Sequence, residues 1–233
     1  MKKITIIISG GLDSTVLTYD LKNQGYKILA LSFDYGQKHN KELDIASKTC
    51  QRLEIPHKIV KIDKSIVEGS SLTSKKKVPE GHYWEKTMKA TVVPSRNLLM
   101  LAHAMSYAIT NKCVGVAYGA HAGDHNIYPD CRPEFIEAVR EVARLTDYKP
   151  LEILTPYQNI TKAEIVKKGL DLGVDFNLTW TCYKGGKQPC GKCGSCVERT
   201  GAFLENHRKD PLYSTENWMK VVEYATKQEE NYQ

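Results

Sequence analysis

The sequence has no apolar stretch long enough to cross a membrane. Its opening run, Ile4 to Ile8, is short and carries Thr5. A bilayer span needs roughly 18 or more apolar residues, and a signal-peptide core is also longer than this run. The expectation is therefore a cytoplasmic protein with no membrane partner. Internal repeats and low-complexity tracts are absent, which excludes solenoids, collagen-like chains and disordered linkers. An even cysteine count is missing too. Of seven cysteines, four cluster at Cys182, Cys190, Cys193 and Cys196, while Cys50, Cys113 and Cys131 are scattered. A reducing compartment and a metal site explain this better than a disulfide framework. Nor is there a dense basic stripe. Lysine plus arginine is 33 against 27 acidic residues, a net charge of +6. That mild excess favours an anionic small ligand, such as a nucleotide, over stable binding of nucleic acid.

The chain has 233 residues, 41% of them hydrophobic and 26% charged. A chain of this size buries roughly three quarters of its unfolded surface and needs no staple to fold. Lys3–Ile8 reads as a buried strand, and residues 13–23 as a helix closed by Gly25. Further strands are expected at 27–33, 57–62, 114–118 and 151–154. Helices are expected at 40–53, 97–110, 133–145, 161–172, 195–206 and 215–227, ahead of a polar, frayed tail at 228–233. Thr161-Lys162-Ala163-Glu164 fits a capping box. The alternation of strand and helix predicts an α/β fold: a Rossmann-like parallel five-stranded sheet with helices on both faces. A small C-terminal helical segment with a four-cysteine zinc site follows. The expected division is 1–175 for the nucleotide-binding α/β domain and 176–233 for the zinc-binding segment. Residues 64–91, with Lys75-Lys76-Lys77, break the periodicity and read as an inserted loop, either a mobile surface insert or a lid.

Ile8-Ser9-Gly10-Gly11-Leu12-Asp13-Ser14-Thr15 joins the first strand to the first helix. Two glycines admit close approach of a ligand to the backbone, and the helix start offers unpaired N–H groups and a positive dipole end. Ser9, Ser14 and Thr15 add hydroxyl donors. The pattern is an anion site that fits a pyrophosphate. It lacks the Gly-Lys-Ser/Thr of the kinase-type phosphate loop and the third glycine of the dinucleotide fingerprint. The turn resembles the pyrophosphate loop of the ATP pyrophosphatase superfamily. That resemblance implies ATP cleaved between its α and β phosphates, with Asp13 helping to hold Mg²⁺.

Cys182-x7-Cys190-x2-Cys193-x2-Cys196 supplies four thiolates within 15 residues. Four sulfurs and no histidine suit a closed, structural Zn²⁺ site, with an iron–sulfur cluster as the rival. Residues 119–132 follow the fourth strand at its C-terminal end, where open parallel sheets bind ligands. There His121, Asp124, Tyr128, Asp130 and Arg132 lie within 12 residues. A carboxylate accepts from the edge of a guanine-like base, a ring stacks, and arginine binds a carboxylate through two parallel bonds. Arg96, at a helix start where its charge opposes the dipole, points toward an anion. Ser95 and Asn97 are candidate caps of that helix.

Taken together, Ser9-Gly10-Gly11-Leu12-Asp13-Ser14, Phe33 to His39, Val93-Pro94-Ser95-Arg96-Asn97, Tyr128 to Phe135, Thr155-Pro156, Lys162 to Ile165 and Thr181-Cys182-Tyr183 with the later cysteines resemble the 7-cyano-7-deazaguanine synthase family of queuosine-precursor biosynthesis. The resemblance implies ATP-dependent conversion of 7-carboxy-7-deazaguanine and ammonia to the nitrile, through an activated carboxylate and an amide. It also implies one structural zinc per chain and a homodimer. Asp13, Ser14 and Lys162 take the catalytic roles, and Arg96, His121, Asp124, Tyr128, Asp130 and Arg132 the substrate-binding ones. Common family members carry Glu-Thr-Asp-Phe-Ser-Gly before Tyr-Pro-Asp-Cys-Arg. Here Ala120 to Ile127 stands instead, which leaves the roles at 121–125, and the choice between nitrile and amide product, open. The alternative is a tRNA-modifying pyrophosphatase-loop ligase in which the zinc segment and Lys75–Lys77 grip RNA.

Overall fold

A computed structural model of the chain describes residues 1–82 and 86–230. Five strands, β1 (Lys3–Ile7), β2 (Lys27–Asp34), β3 (His57–Lys61), β4 (Gly115–Ala117) and β5 (Glu152–Leu154), form one sheet in the order β3-β2-β1-β4-β5. All four pairings are parallel, so each strand returns through a helix: α1 (Leu12–Asn23), α2 (Lys41–Arg52), α3 (Arg96–Thr110) and α4 (Pro133–Leu145). Beyond the sheet lie α5 (Lys162–Asp171), α6 (Gly194–Glu205) and α7 (Thr215–Glu230).

The pleat sorts the side chains. Ile4 and Ile6 of β1, Ile8 just after it, and Ile28 and Ala30 of β2 face Val16, Leu17, Ile165, Val166 and Phe203 of α1, α5 and α6. Leu29, Leu31 and Phe33 point the other way, onto Leu101, Met105 and Ala108 of α3. Pairing of Ile4 with Ile28 and of Ile6 with Ala30 keeps each face in register. The layered α/β fold expected from the sequence is therefore observed, with helices on both faces. The chain leaves β1 toward β2 on one side and reaches β4 on the other. Strand order thus reverses beside β1, and the crevice at a reversal of this kind is where such sheets hold ligands.

Where they are described, residues 64–91 pack part of their apolar side chains into the core. Short 3₁₀ turns at Lys64–Val67 and Lys86–Thr91 carry Val67 and Met88, which with Leu72 and Val78 are buried against Phe33, Tyr35 and Val93. Their apolar residues have no helical or strand period, which is why the sequence read as an insert; Tyr83, Trp84 and Glu85 lie outside the described residues. At the C-terminus α7 continues through Gln228 to Glu230, past the expected fraying point. Exposed pairs at i,i+4, Glu216–Lys220 and Glu223–Lys227, both at 2.6 Å, support that helix. The remainder of the expected polar tail, residues 231–233, lies outside the described residues.

The C-terminal segment is tied down by a buried ion pair. Arg199, 1% exposed, donates from Nε and Nη2 to Asp210, 0% exposed, at 2.6 and 2.9 Å, and from Nη1 to Thr179 at 2.8 Å. Removing one partner of such a pair strands the other charge. An Arg199→Ala protein is expected to lose about 3–5 kcal/mol in urea unfolding. The double variant Arg199→Met/Asp210→Leu should recover most of that loss.

Candidate active site

The turn after β1 is built by crowding. Gly10 has φ +86°, and a Cβ there would sit 2.1 Å from the Glu42 carbonyl oxygen of α2. Only glycine fits. The Gly10 carbonyl accepts from Trp180 N–H at 2.9 Å, which fastens the turn to the segment entering the cysteine region. Gly11 is the N-cap of α1, and no side chain caps the helix. Thr15 N–H is the first to bond inside it, to the Gly11 carbonyl at 3.1 Å. The earlier amides of the turn are left with their positive dipole end toward the cleft. Ser14 Oγ lies 3.1 Å from both Ser9 N and Ser9 Oγ, which holds both hydroxyls at the mouth. Ile8, Ser9, Gly11, Asp13 and Ser14 line the cleft. Gly10 packs against α2, and Leu12 and Thr15 turn into the core.

Beside this turn sits a charge cluster gathered from four elements. Lys162, the first residue of α5, is 9% exposed; its Nζ lies 2.6 Å from Asp13 Oδ2 and 3.3 Å from Glu198 Oε2. The Thr161–Glu164 capping box is present, with Glu164 N–H on Thr161 Oγ1 at 3.2 Å and Thr161 N–H on Glu164 Oε2 at 2.7 Å. It fixes the turn from which Lys162 projects. Burial opposes the charge on Lys162, but Asp13, Glu198 and Asp124 outweigh it and hold the ammonium group above the ordinary lysine range. Burial likewise tends to raise the Asp13 carboxyl, yet Lys162 and His121 keep it below its usual value. Asp13 Oδ1 is buried and has no hydrogen-bond partner.

Glu198, on α6, is pushed upward by burial against the opposing pull of Lys162 and His121. His121 is buried, with Nδ1 accepting from Gly123 N–H at 3.0 Å and Nε2 lying 3.5 Å from Asp124 and 3.7 Å from Glu198.

The opposite wall is aromatic and cationic. Tyr128 Oη lies 2.9 Å from both Thr91 Oγ1 and Tyr183 Oη, and the Arg96 guanidinium stands 5.8 Å from the Tyr128 ring. Arg96 also faces Tyr35 and Asp130. Glu42 lines the same space, and burial, partly offset by Arg96, pushes its carboxyl up to about 7.

Of the expected substrate residues, the structure brings Arg96, Asp124 and Tyr128 to the cleft. His121 stands behind Asp124 and Glu198 and does not line it. Asp130 accepts from Asn97 N–H at 2.9 Å and so caps α3 from a distance, in place of Ser95 or Asn97. Arg132 is exposed and donates to the His125 carbonyl at 3.0 Å. Sequence reasoning gave no site role to Glu198, Glu42 or Trp180, nor to Tyr35, which it quoted only within the Phe33–His39 motif. Glu198 lies two residues after Cys196, on the helix that the cysteines begin, and that spacing was its one available signal.

The four cysteine sulfurs lie within 4.8 Å of one another, with Cys190–Cys196 at 3.9 Å and Cys193–Cys196 at 3.5 Å. A tetrahedral ion with Zn–S bonds of about 2.3 Å would separate its sulfurs by about 3.8 Å. An iron–sulfur cube, with an iron under each thiolate, spreads them more widely. Backbone N–H groups of Lys192 and Cys193 point at Cys190 Sγ at 3.4 and 3.3 Å, and that of Cys190 at Cys182 Sγ at 3.3 Å. Such donors stabilise thiolate charge. The segment is also a wall of the cleft: Trp180, Thr181, Tyr183 and Ser195 all line it. Lys41 holds this wall from α2, its ammonium 3.6 Å above the Trp180 ring and bonded to the Gly186 and Lys187 carbonyls at 2.8 and 3.0 Å.

Fold and site together define a doubly wound α/β protein with a glycine turn at its switch point and, in the segment that walls the same cleft, four cysteines placed to hold a metal ion. A family model described as "Queuosine biosynthesis protein QueC" matches residues 3–207. The chain belongs to that family. It is 51% identical over 212 residues to a protein of Caldicellulosiruptor saccharolyticus named 7-cyano-7-deazaguanine synthase, covering 90% of this chain and 94% of that one. A protein of the same name from Hahella chejuensis is 52% identical over 208 residues, covering 88% and 90%. Among solved structures, a predicted subunit of tRNA methyltransferase from Methanocaldococcus jannaschii shares the fold, at TM-score 0.50 and 16% identity over 92% of each chain.

The sulfur geometry makes a measurable demand. Purified protein is expected to carry one divalent ion per chain by elemental analysis. Cys193→Ser should lose that ion and unfold at a lower temperature; unchanged metal content in this variant would exclude the four-sulfur site.

Proposed function

We propose that the chain converts 7-carboxy-7-deazaguanine to 7-cyano-7-deazaguanine with ATP and ammonia. The observation that carries this reading is the juxtaposition at the strand switch. An uncapped helix start lies beside a buried lysine, and across one cleft stands a wall of Arg96, Tyr128 and Tyr183. The relatives named as this synthase, matched along nearly their whole length, support the substrate.

A carboxylate oxygen is a poor leaving group. Attack of that oxygen on the α phosphorus of ATP expels pyrophosphate and gives an acyl adenylate. Ammonia then adds to the acyl carbon, AMP departs, a proton is released, and an amide remains. Activation of the amide oxygen by a second ATP, followed by loss of AMP and of the nitrogen protons, gives the nitrile. The amides of the Ser9–Ser14 turn receive the charge of the departing pyrophosphate, and Lys162 supplies a fixed positive charge beside it. Ser14 and Thr15 belong to the same turn, and Ser14 Oγ is at its mouth. Arg96 fits a carboxylate, Tyr128 a heterocyclic ring, and Asp124 the donor edge of a guanine-like base.

Asp13 suits Mg²⁺, since Oδ1 is buried and unpartnered and this ion takes one or two carboxylates plus substrate phosphates. When bound, Mg²⁺ neutralises phosphate charge. Cys182, Cys190, Cys193 and Cys196 suit a structural Zn²⁺. The protein acts as a carbon–nitrogen ligase, as a homodimer, in the cytoplasm.

Mass spectrometry of protein, ATP, Mg²⁺, ammonium and 7-carboxy-7-deazaguanine tests the reading. Nitrile is the expected product. Accumulation of amide alone would assign the amide-forming version, and unchanged substrate with intact ATP would defeat the proposal. Asp13→Ala should lose at least about a hundredfold in turnover while keeping its circular dichroism; near-normal turnover would remove the loop from the chemistry.

A further inference from the structure

Glu198 is the one acidic side chain of the cleft that comes from the metal-bearing helix. Its two oxygens divide their work. Oε2 faces Lys162 Nζ at 3.3 Å, and Oε1 faces His121 Nε2 at 3.7 Å. The 3₁₀ turn Ala122–Asn126 is pressed onto it: a Cβ at Gly123 would come within 2.5 Å of Glu198 Oε1. The Ala122 N–H in turn bonds the Ile160 carbonyl at 3.2 Å, just before α5. The helix carrying Glu198 is anchored on both sides of it. Cys196 belongs to the sulfur quartet, and Arg199, next in sequence, is locked to Asp210.

We propose that Glu198 is a positioning residue for the reaction: it holds the Lys162 ammonium group at the mouth of the anion-binding turn, and the four-cysteine segment fixes where it does so. The assignment rests on the ATP-dependent reading above. Lys162 has two carboxylate neighbours within ion-pair distance, Asp13 at 2.6 Å and Glu198 at 3.3 Å, from opposite ends of the chain. With Asp13 alone the long lysine stem retains rotamers that carry Nζ away from the turn, and a displacement of about 1 Å at a reacting centre can cost about a hundredfold in rate. Glu198 removes those rotamers. It does so at an electrostatic cost to nucleotide binding, because a third carboxylate beside Asp13 and Asp124 repels phosphate oxygens.

That cost gives the assignment a signature that general damage to the fold lacks. In Glu198→Gln, kcat measured by pyrophosphate release is expected to fall between about tenfold and a hundredfold. The KM for ATP should stay level or drop, since a repelling charge is gone. Metal content and melting temperature should stay at wild-type values. Glu198→Ala, which also removes the contact with His121, should lower kcat further with the same KM pattern.

Wild-type kcat in Glu198→Gln would overturn the assignment. So would a rise in the KM for ATP with kcat unchanged, or loss of metal or of folded structure, which would make Glu198 a purely structural residue. Wild-type protein that releases no pyrophosphate with the deazaguanine acid would instead overturn the functional reading.

Discussion

One buried ammonium group sets the terms of the cleft. Lys162 has given up most of its hydration, and an isolated charge in that position would be too costly to keep. Asp13, Glu198 and Asp124 keep it ionised, yet together they outnumber it. The cluster as a whole therefore carries an excess of carboxylate over ammonium charge. The unpartnered oxygen of Asp13 is where the imbalance is concentrated. Because the four groups come from α1, the turn after β4, α5 and α6, the cluster exists only once distant parts of the chain have met. Asp13 and Lys162 are 149 residues apart. Folding and assembly of the charge cluster are one event.

Much of this was legible in the sequence, for reasons that can be located. The turn at Ser9–Thr15 is local: strand, two glycines and helix follow each other directly, so periodicity and turn chemistry suffice. The capping box at Thr161 and the cysteine spacing are local in the same sense. The parallel sheet followed from strand–helix alternation. The residues at 121–132 divide between cleft and surroundings, because their density was legible but their directions were not in the sequence. Asp130 spends its carboxylate on the N-terminus of α3, and Arg132 faces solvent, while Tyr128 and Asp124 enter the cleft. In irregular backbone no period tells which side a residue faces. Glu198 was missed for the opposite reason. It lies on a regular helix, but its partners Lys162 and His121 reach it only through the tertiary fold.

The four-cysteine segment reads in sequence as an appendage and in space as masonry of the cleft. Trp180 N–H bonds the Gly10 carbonyl, Ser195 Oγ bonds the Thr181 carbonyl at 2.7 Å, and Phe203 of the same helix is buried against Phe176 with ring centroids 5.2 Å apart. Residues 64–91 have a comparable standing. Gly81 N–H bonds the Lys192 carbonyl at 3.0 Å, so the supposed insert is joined to the cysteine loop from the other side. Lys38 and Lys76, basic residues near this rim, place their ammonium groups on the carbonyls of Lys76 and Gly69. They act as clasps between loops.

The near-contact of Gly10 with α2 has a mechanical consequence. With the Glu42 carbonyl already where a side chain would begin, the glycine turn cannot slide toward α2, and the Trp180 bond holds it from the other side. The backbone of the turn is therefore held from two sides. Adjustment to ligands of different length or charge falls to the long side chains across the cleft, and the specificity of this enzyme can drift in evolution without its anion grip being rebuilt.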